Sequence, residues 1–278
     1  MSRLRRSFLR MTLILTSLFL CGCGLLYLGQ DRLIFFPRQY GPDAKQVQDR
    51  YEVLEFDSSQ GRQRAFYRGP SGKLPEKIWV MTGGNASLAL GWDWLVDPAA
   101  KIQSDFGFLL IEYPGYGEAE GQPGRKTIAK TVDGAISALT AHLELPEDKV
   151  IDRISFIGHS LGAAVAFETA SRLNRGEVIA LSPFTSMKDM ARRTIGKPLS
   201  NLARHRWDNR ARVAEVAELP GAQITIFHGD SDTVIPAFMG RELGEIGGEV
   251  VEFREVKNAH HNNIVDTIRP ELVELLTR

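Results

Sequence analysis

Cysteine is almost missing from this 278-residue chain. Its two cysteines, Cys21 and Cys23, both fall inside an N-terminal apolar run. The rest of the chain therefore has no disulfide, no thiolate nucleophile and no cysteine-ligated zinc site. Net charge is missing as well. Lysine plus arginine and aspartate plus glutamate balance at 34 each, so there is no overall basic field of the kind that draws proteins onto nucleic acid. There is no internal repeat and no low-complexity tract. Acidic residues are absent from the first thirty positions, Asp31 being the first.

What those thirty positions do contain is Arg3, Arg5, Arg6 and Arg10, followed by an uncharged stretch from Met11 to Gly29. A cationic start before an apolar run is a targeting pattern, and the positive end stays in the cytoplasm. Residues 1–30 are thus expected to be a signal peptide or a membrane anchor, with the remainder on the non-cytoplasmic side. In one reading, Leu20-Cys21-Gly22-Cys23 is a bacterial lipobox with Cys23 as the lipidated residue, which makes the protein a lipoprotein. In the other, the run is long enough to stay in the bilayer as an anchor.

Residues 31–278 read as one domain, since 43% hydrophobic content suffices for a full core. Leu33 to Pro37 is apolar and is expected to dock on it. Tyr51 to Phe56 and Gln63 to Tyr67 alternate like the strands of a hairpin closed by Ser58 to Gly61. Continuous apolar runs at Lys77 to Met81, Phe106 to Glu112, Arg153 to Ile157, Glu177 to Leu181 and Gln223 to Phe227 read as buried parallel strands, with a last strand at Glu249 to Phe253. Helices are expected at Ala89 to Ile102, interrupted by Pro98, and at Thr127 to Leu143. The stretch from about 185 to 218 lacks strand patterning and reads as a small helical cap; its Arg192, Arg193, Arg204 and Arg206 are mainly a solvated face, with one or two able to meet an anionic substrate or lipid head group.

The chemistry concentrates at strand ends. Gly158-His159-Ser160-Leu161-Gly162 places a serine between two glycines where a strand turns into a helix, a nucleophile-elbow pattern. Thr82-Gly83-Gly84-Asn85-Ala86 follows a central strand and can aim a backbone N–H into a cleft. Tyr113-Pro114-Gly115-Tyr116-Gly117 opens a glycine-rich loop with no phosphate-binding spacing. His228-Gly229-Asp230-Ser231-Asp232 follows a later strand, and Asn258-Ala259-His260-His261-Asn262 follows the last. Serine, carboxylate and histidine in that order, each after a strand, form the set that acyl transfer needs: nucleophile, orienting acid and general base. Asp230 competes with Asp232, and His260 with His261. The paired histidines have no nearby carboxylate or cysteine to complete a metal site.

These five blocks resemble the α/β-hydrolase superfamily, and within it the membrane-linked group that includes serine-aminopeptidase-like hydrolases, lipid hydrolases and depalmitoylases. The resemblance runs from Leu33 to the C-terminus. It implies an α/β fold with a mostly parallel central sheet, helices on both faces and a small cap. Carried over by position, it implies Ser160 as nucleophile, Asp232 as acid and His261 as base, with the backbone N–H groups of Asn85 and Leu161 as oxyanion donors. Gly83 stands where a histidine is common in the family, Pro114 where an arginine is, and Asn263 where an aspartate is. The expected activity is cleavage of a carboxylic ester or thioester through an acyl-enzyme, on a small-molecule or lipid acyl substrate, with no metal or organic cofactor and no nucleic-acid partner. The alternatives are a serine peptidase or aminopeptidase of the same fold, and a non-enzymatic scaffold that binds a lipid or partner.

Overall fold

In the computed structural model, residues 3–70 and 72–278 are described; Met1 and Ser2 of the expected targeting segment lie outside them. Eight strands form one sheet: β1 (Glu52–Ser58), β2 (Gly61–Arg68), β3 (Ile78–Thr82), β4 (Gly107–Ile111), β5 (Ile154–His159), β6 (Glu177–Leu181), β7 (Gln223–Gly229) and β8 (Val251–Val256). Their order across the sheet is β1-β2-β4-β3-β5-β6-β7-β8. The β1–β2 hairpin, with Ser58 opposite Gly61, and the β2–β4 pair are antiparallel; every later pair is parallel.

The two-residue side-chain period of a strand explains why the apolar runs have no polar face. In β3, Ile78 and Val80 enter one core layer while Trp79 and Met81 enter the other. The first layer packs under the helices Arg125–Leu143, Leu161–Leu173, Asn209–Ala217 and Ala237–Gly247; the second packs under Asp93–Ile102 and Arg269–Leu276. A central strand covered on both faces has to be apolar throughout.

Two sequence expectations are sharpened. Pro98 does not interrupt its helix, which runs from Asp93 to Ile102 after a 3-10 turn at Ala89–Trp92. A proline there removes one backbone hydrogen bond, while Leu95, Val96 and Ala99 are buried and hold the turn in place. Within the 185–218 stretch, Met187–Ile195 and the turn Leu199–Leu202 stand over the end of the sheet, whereas Asn209–Ala217 packs between Leu161–Leu173 and Ala237–Gly247 as the crossover from β6 to β7. Arg210 secures the junction by pairing with both Asp189 and Glu242.

The N-terminal helix Arg3–Gly29 is continuous through Cys21 and Cys23. Its portion Arg10–Gly29 is long and apolar enough to cross a membrane, and the apolar window there is not buried against the domain. Leu33 to Pro37 does dock: Phe35 is buried against the rings of His205 and Trp207.

Candidate active site

Ser160 sits at the turn from β5 into Leu161–Leu173 with φ 56° and ψ −115°. Positive φ in a non-glycine residue is strained, and here the fold requires it. The two flanking glycines permit the turn. A Cβ on Gly158 would lie 2.3 Å from the Gly162 carbonyl oxygen, and one on Gly162 would lie 2.0 Å from that of Thr82. Strand and helix approach too closely for any other residue at either position. The Ser160 amide is fixed by a 2.8 Å bond to the Leu181 carbonyl on the next strand.

The candidate acid and base arrive on two loops stitched together beyond β7 and β8. A Cβ on Gly229 would meet the Ala259 carbonyl at 2.2 Å, so only glycine lets the loops come this near. Ser231 N–H donates to the Ala259 carbonyl (3.1 Å), and Asn258 N–H donates to Asp230 Oδ1 (2.8 Å). Asp230 is thus a structural link on the exposed side. His260 turns outward to the Ser231 carbonyl (2.9 Å). Asp232 and His261 face inward: His261 Nδ1 is 2.7 Å from Asp232 Oδ2, and His261 Nε2 is 3.0 Å from Ser160 Oγ. The structure brings Ser160, His261 and Asp232 into one chain of hydrogen bonds and leaves their sequence competitors outside it.

Burial opposes ionisation of Asp232, but the polar His228 ring beside it and hydrogen bonds from His261 and the Ile235 N–H outweigh it and hold the carboxyl well below the usual carboxylate range. Its Oδ1 takes two backbone amides, Val234 at 2.9 Å and Ile235 at 2.8 Å. The ring of His228, fully buried, stands 3.6 Å from Oδ2. Since His228 Nε2–H donates to the Ile235 carbonyl (2.7 Å), it braces the same loop. His159 is pushed down to about 4, first by burial and then by the neighbouring His261. Being neutral, it donates Nε2–H to the His261 carbonyl (2.9 Å) and ties the base loop to the end of β5.

Asn85 and Leu161 lie beside Ser160 on the wall of the same cleft. Among the described residues, neither backbone N–H donates to a protein acceptor. Leu161 is the first residue of its helix, where amides are unpaired and the helix dipole is positive. Asn85 is clamped from behind: Tyr116 Oη–H (2.5 Å) and Phe36 N–H (3.0 Å) both donate to its carbonyl, and its Nδ2 donates to the Ile34 carbonyl (3.1 Å). Among the described residues no cluster of His, Cys, Asp and Glu could hold a metal ion.

Sequence reasoning missed four features. His228 and Glu112 both matter through contacts made only in the fold. Glu112 is fully buried at the end of β4, raised to about 7 by burial although Tyr40 and the Ala89 N–H bond to it. His205 had no foreseeable partner; it accepts from the Arg125 amide (3.2 Å) and meets Asp31. Arg204 likewise pairs with Asp31 rather than facing solvent freely.

Sequence and structure comparisons bear on the fold and the family. An uncharacterized protein of Mycobacterium tuberculosis is 28% identical over 248 residues, 88% of this chain and 83% of that protein. An alpha/beta hydrolase domain-containing protein 17B of Xenopus laevis is 28% identical over 153 residues, 55% of this chain and 49% of that protein. A solved esterase of Pyrococcus furiosus superposes with a TM-score of 0.65 at 16% identity, covering 88% of this chain and 96% of that one, which shows a shared fold. Residues 80–243, from β3 to the helix after the Asp232 loop, match the Alpha/beta hydrolase family, and the chain belongs to that family.

Proposed function

We propose that this protein is a membrane-tethered serine hydrolase that cleaves a carboxylic ester or thioester through an acyl-enzyme on Ser160. The observation that carries the reading is His261 placed between Ser160 Oγ at 3.0 Å and Asp232 Oδ2 at 2.7 Å. Ser160 Oγ attacks the carbonyl carbon while its proton passes to His261 Nε2. Asp232, ionised, accepts Nδ1–H, which fixes the tautomer and stabilises the imidazolium. The amides of Asn85 and Leu161 take the tetrahedral oxyanion. His261 then protonates the leaving alcohol or thiol, and a water deprotonated by the same imidazole releases the acyl group.

The cleft favours an ester over a peptide N-terminus. An aminopeptidase must meet a substrate ammonium with a carboxylate. Among the described residues lining the cleft none is Asp or Glu, and Arg38 is the single Lys or Arg. A scaffold role is disfavoured by the intact hydrogen-bonded set and by the strain retained at Ser160.

Replacing Ser160 with Ala is expected to abolish labelling by a fluorophosphonate probe and to lower p-nitrophenyl ester turnover by ~10⁴-fold or more. Retained turnover in that variant defeats the assignment. The Arg10–Gly29 segment supports the tether, as an anchor or as a leader ending at a lipidated Cys23, with the domain on the non-cytoplasmic side. Intact mass of the membrane-extracted protein distinguishes them: a diacylglycerol adduct on a chain starting at Cys23 establishes the lipoprotein, and an uncleaved chain the anchor.

A further inference from the structure

The cleft at Ser160 is larger than the proposed reaction requires and continues well away from it. Its volume is about 710 Å³, in the upper half of the ~300–1,000 Å³ of small-molecule clefts. An acetyl group would fill only a small part of it. Besides Ser160 and His261, the cleft is lined by Met187, Met190, Ile195 and Leu202 of the cap and by Leu26 and Leu33 of the N-terminal segment. Leu26 belongs to the last turn of the apolar helix that runs to Gly29.

That helix end is not loosely appended. Gln30, 7% exposed, donates from Nε2 to the Leu202 carbonyl (3.3 Å) and accepts from the Arg204 amide at Oε1 (2.7 Å). Asp31 meets both Arg204 and His205, and the Arg204 guanidinium stands 5.6 Å from the Tyr27 ring centroid. The juncture is therefore built by directed hydrogen bonds and ion pairs, with one wall of the cleft supplied by the tether itself. Outside it, Leu25 and Leu28 on the same helix are 69% and 71% exposed, as expected of side chains meant for hydrocarbon rather than water. The rim repeats this pattern: Leu33 and Val234 line the cleft and are also 63% and 52% exposed.

We propose that this cleft is the binding channel for a long unbranched acyl chain, walled jointly by the cap and by the last turn of the N-terminal helix that is bonded to it. The substrate is then the long-chain acyl ester or thioester of a membrane-resident molecule, entering along the helix from the apolar layer that helix occupies. This rests on Ser160 being the acylated nucleophile. The wall suits such a guest: thioether side chains adapt to a flexible chain, and each methylene drawn from water contributes about 0.8 kcal/mol. Placing the entrance beside the span means the chain need not cross water to reach Ser160, while Arg38, the one Lys or Arg on the lining, is the group available to the polar part of the substrate.

The test uses the full chain in phosphatidylcholine vesicles with p-nitrophenyl acetate, octanoate and palmitate. The wild-type protein should prefer the longer chains. Leu26→Trp on the helix and Met190→Trp on the cap, which narrow the channel from two separate elements, should each lower the ratio of palmitate to acetate kcat/KM by about tenfold, the size of two lost methylene contacts. The ratio corrects for the amount of folded enzyme. A second arm needs no turnover: the Ser160→Ala protein should bind dansyl-undecanoic acid, and adding Leu26→Trp should weaken that binding. If acetate is hydrolysed but neither chain-length preference nor dansyl-undecanoate binding responds to either tryptophan, the channel is overturned while the nucleophile stands. If the fatty acid binds and responds but the wild type turns over no ester, the nucleophile reading falls and the channel stands.

Discussion

Asp232 owes its ionised state to donors that converge on it from two directions, and this fixes which change would be most damaging at the scale of single residues. Oδ1 is taken by the Val234 and Ile235 amides, leaving Oδ2 for His261. In Asp232→Asn the amide oxygen keeps the two backbone donors, so the NH₂ group turns toward His261 Nδ1. That nitrogen must then accept, Nε2 carries the proton, and Ser160 Oγ loses its base. We expect kcat to fall by ~10³–10⁴-fold with the protein still folded, the size of a wrong-tautomer defect in serine triads. A loss below about tenfold in a folded variant would remove Asp232 from its assigned role. Asp232 was separable from Asp230 in the sequence only through the family resemblance. His228 was not, because its relation to Asp232 depends on how the loop from β7 folds back over Ile235.

At the scale of elements, the segment from Gln30 to Phe36 does more than connect the tether to the domain. Ile34 and Phe36 hold Asn85 through backbone groups, and Tyr116 completes the clamp: its hydroxyl accepts from Phe36 N–H (3.1 Å) and donates to the Asn85 carbonyl. Tyr116→Phe removes one of the two donors on that carbonyl and lets residue 85 turn. The expected result is a roughly tenfold lower kcat with KM nearly unchanged, the size of one neutral hydrogen bond. A merely structural role would lower the melting temperature and leave kcat per folded molecule alone. Elements of this kind mark the limit of legibility. β3, β5, β6 and the elbow were readable because apolar runs and a glycine-flanked serine are local patterns. The Leu33 to Pro37 segment was readable as docking, but its partner was not: the Ile34–Asn85 and Gln30–Leu202 contacts join residues far apart in the chain. Pro98 misled in the other direction, since local breaking strength was outweighed by burial of the face beside it.

For the molecule as a whole, two buried groups make opposite demands on pH. Glu112 is raised from 4.5 to about 7 by burial, so the folded state holds a proton that the unfolded chain has released; its contribution to stability is full at low pH and is lost as pH rises from 4.5 to 7. His159 is lowered from 6.5 to about 4, so the folded state refuses a proton that the unfolded chain takes; its contribution is full above 6.5 and is lost as pH falls toward 4. Each amounts to up to ~3 kcal/mol across its window. Between pH 6.5 and 4.5 the two slopes cancel, and the further acid sensitivity comes from the carboxylates held low in the fold, Asp232 together with Asp31, Asp97, Asp189 and Glu252, which withdraw stability as pH falls through the ordinary carboxylate range and below it. In Glu112→Gln the compensating slope is gone and that of His159 is exposed. Urea midpoints of the wild type should therefore change little between pH 6.5 and 4.5, while those of Glu112→Gln should fall steadily over the same interval. Parallel curves for the two proteins would mean that Glu112 is already ionised throughout, and that Tyr40 and the Ala89 amide stabilise its charge more than burial opposes it.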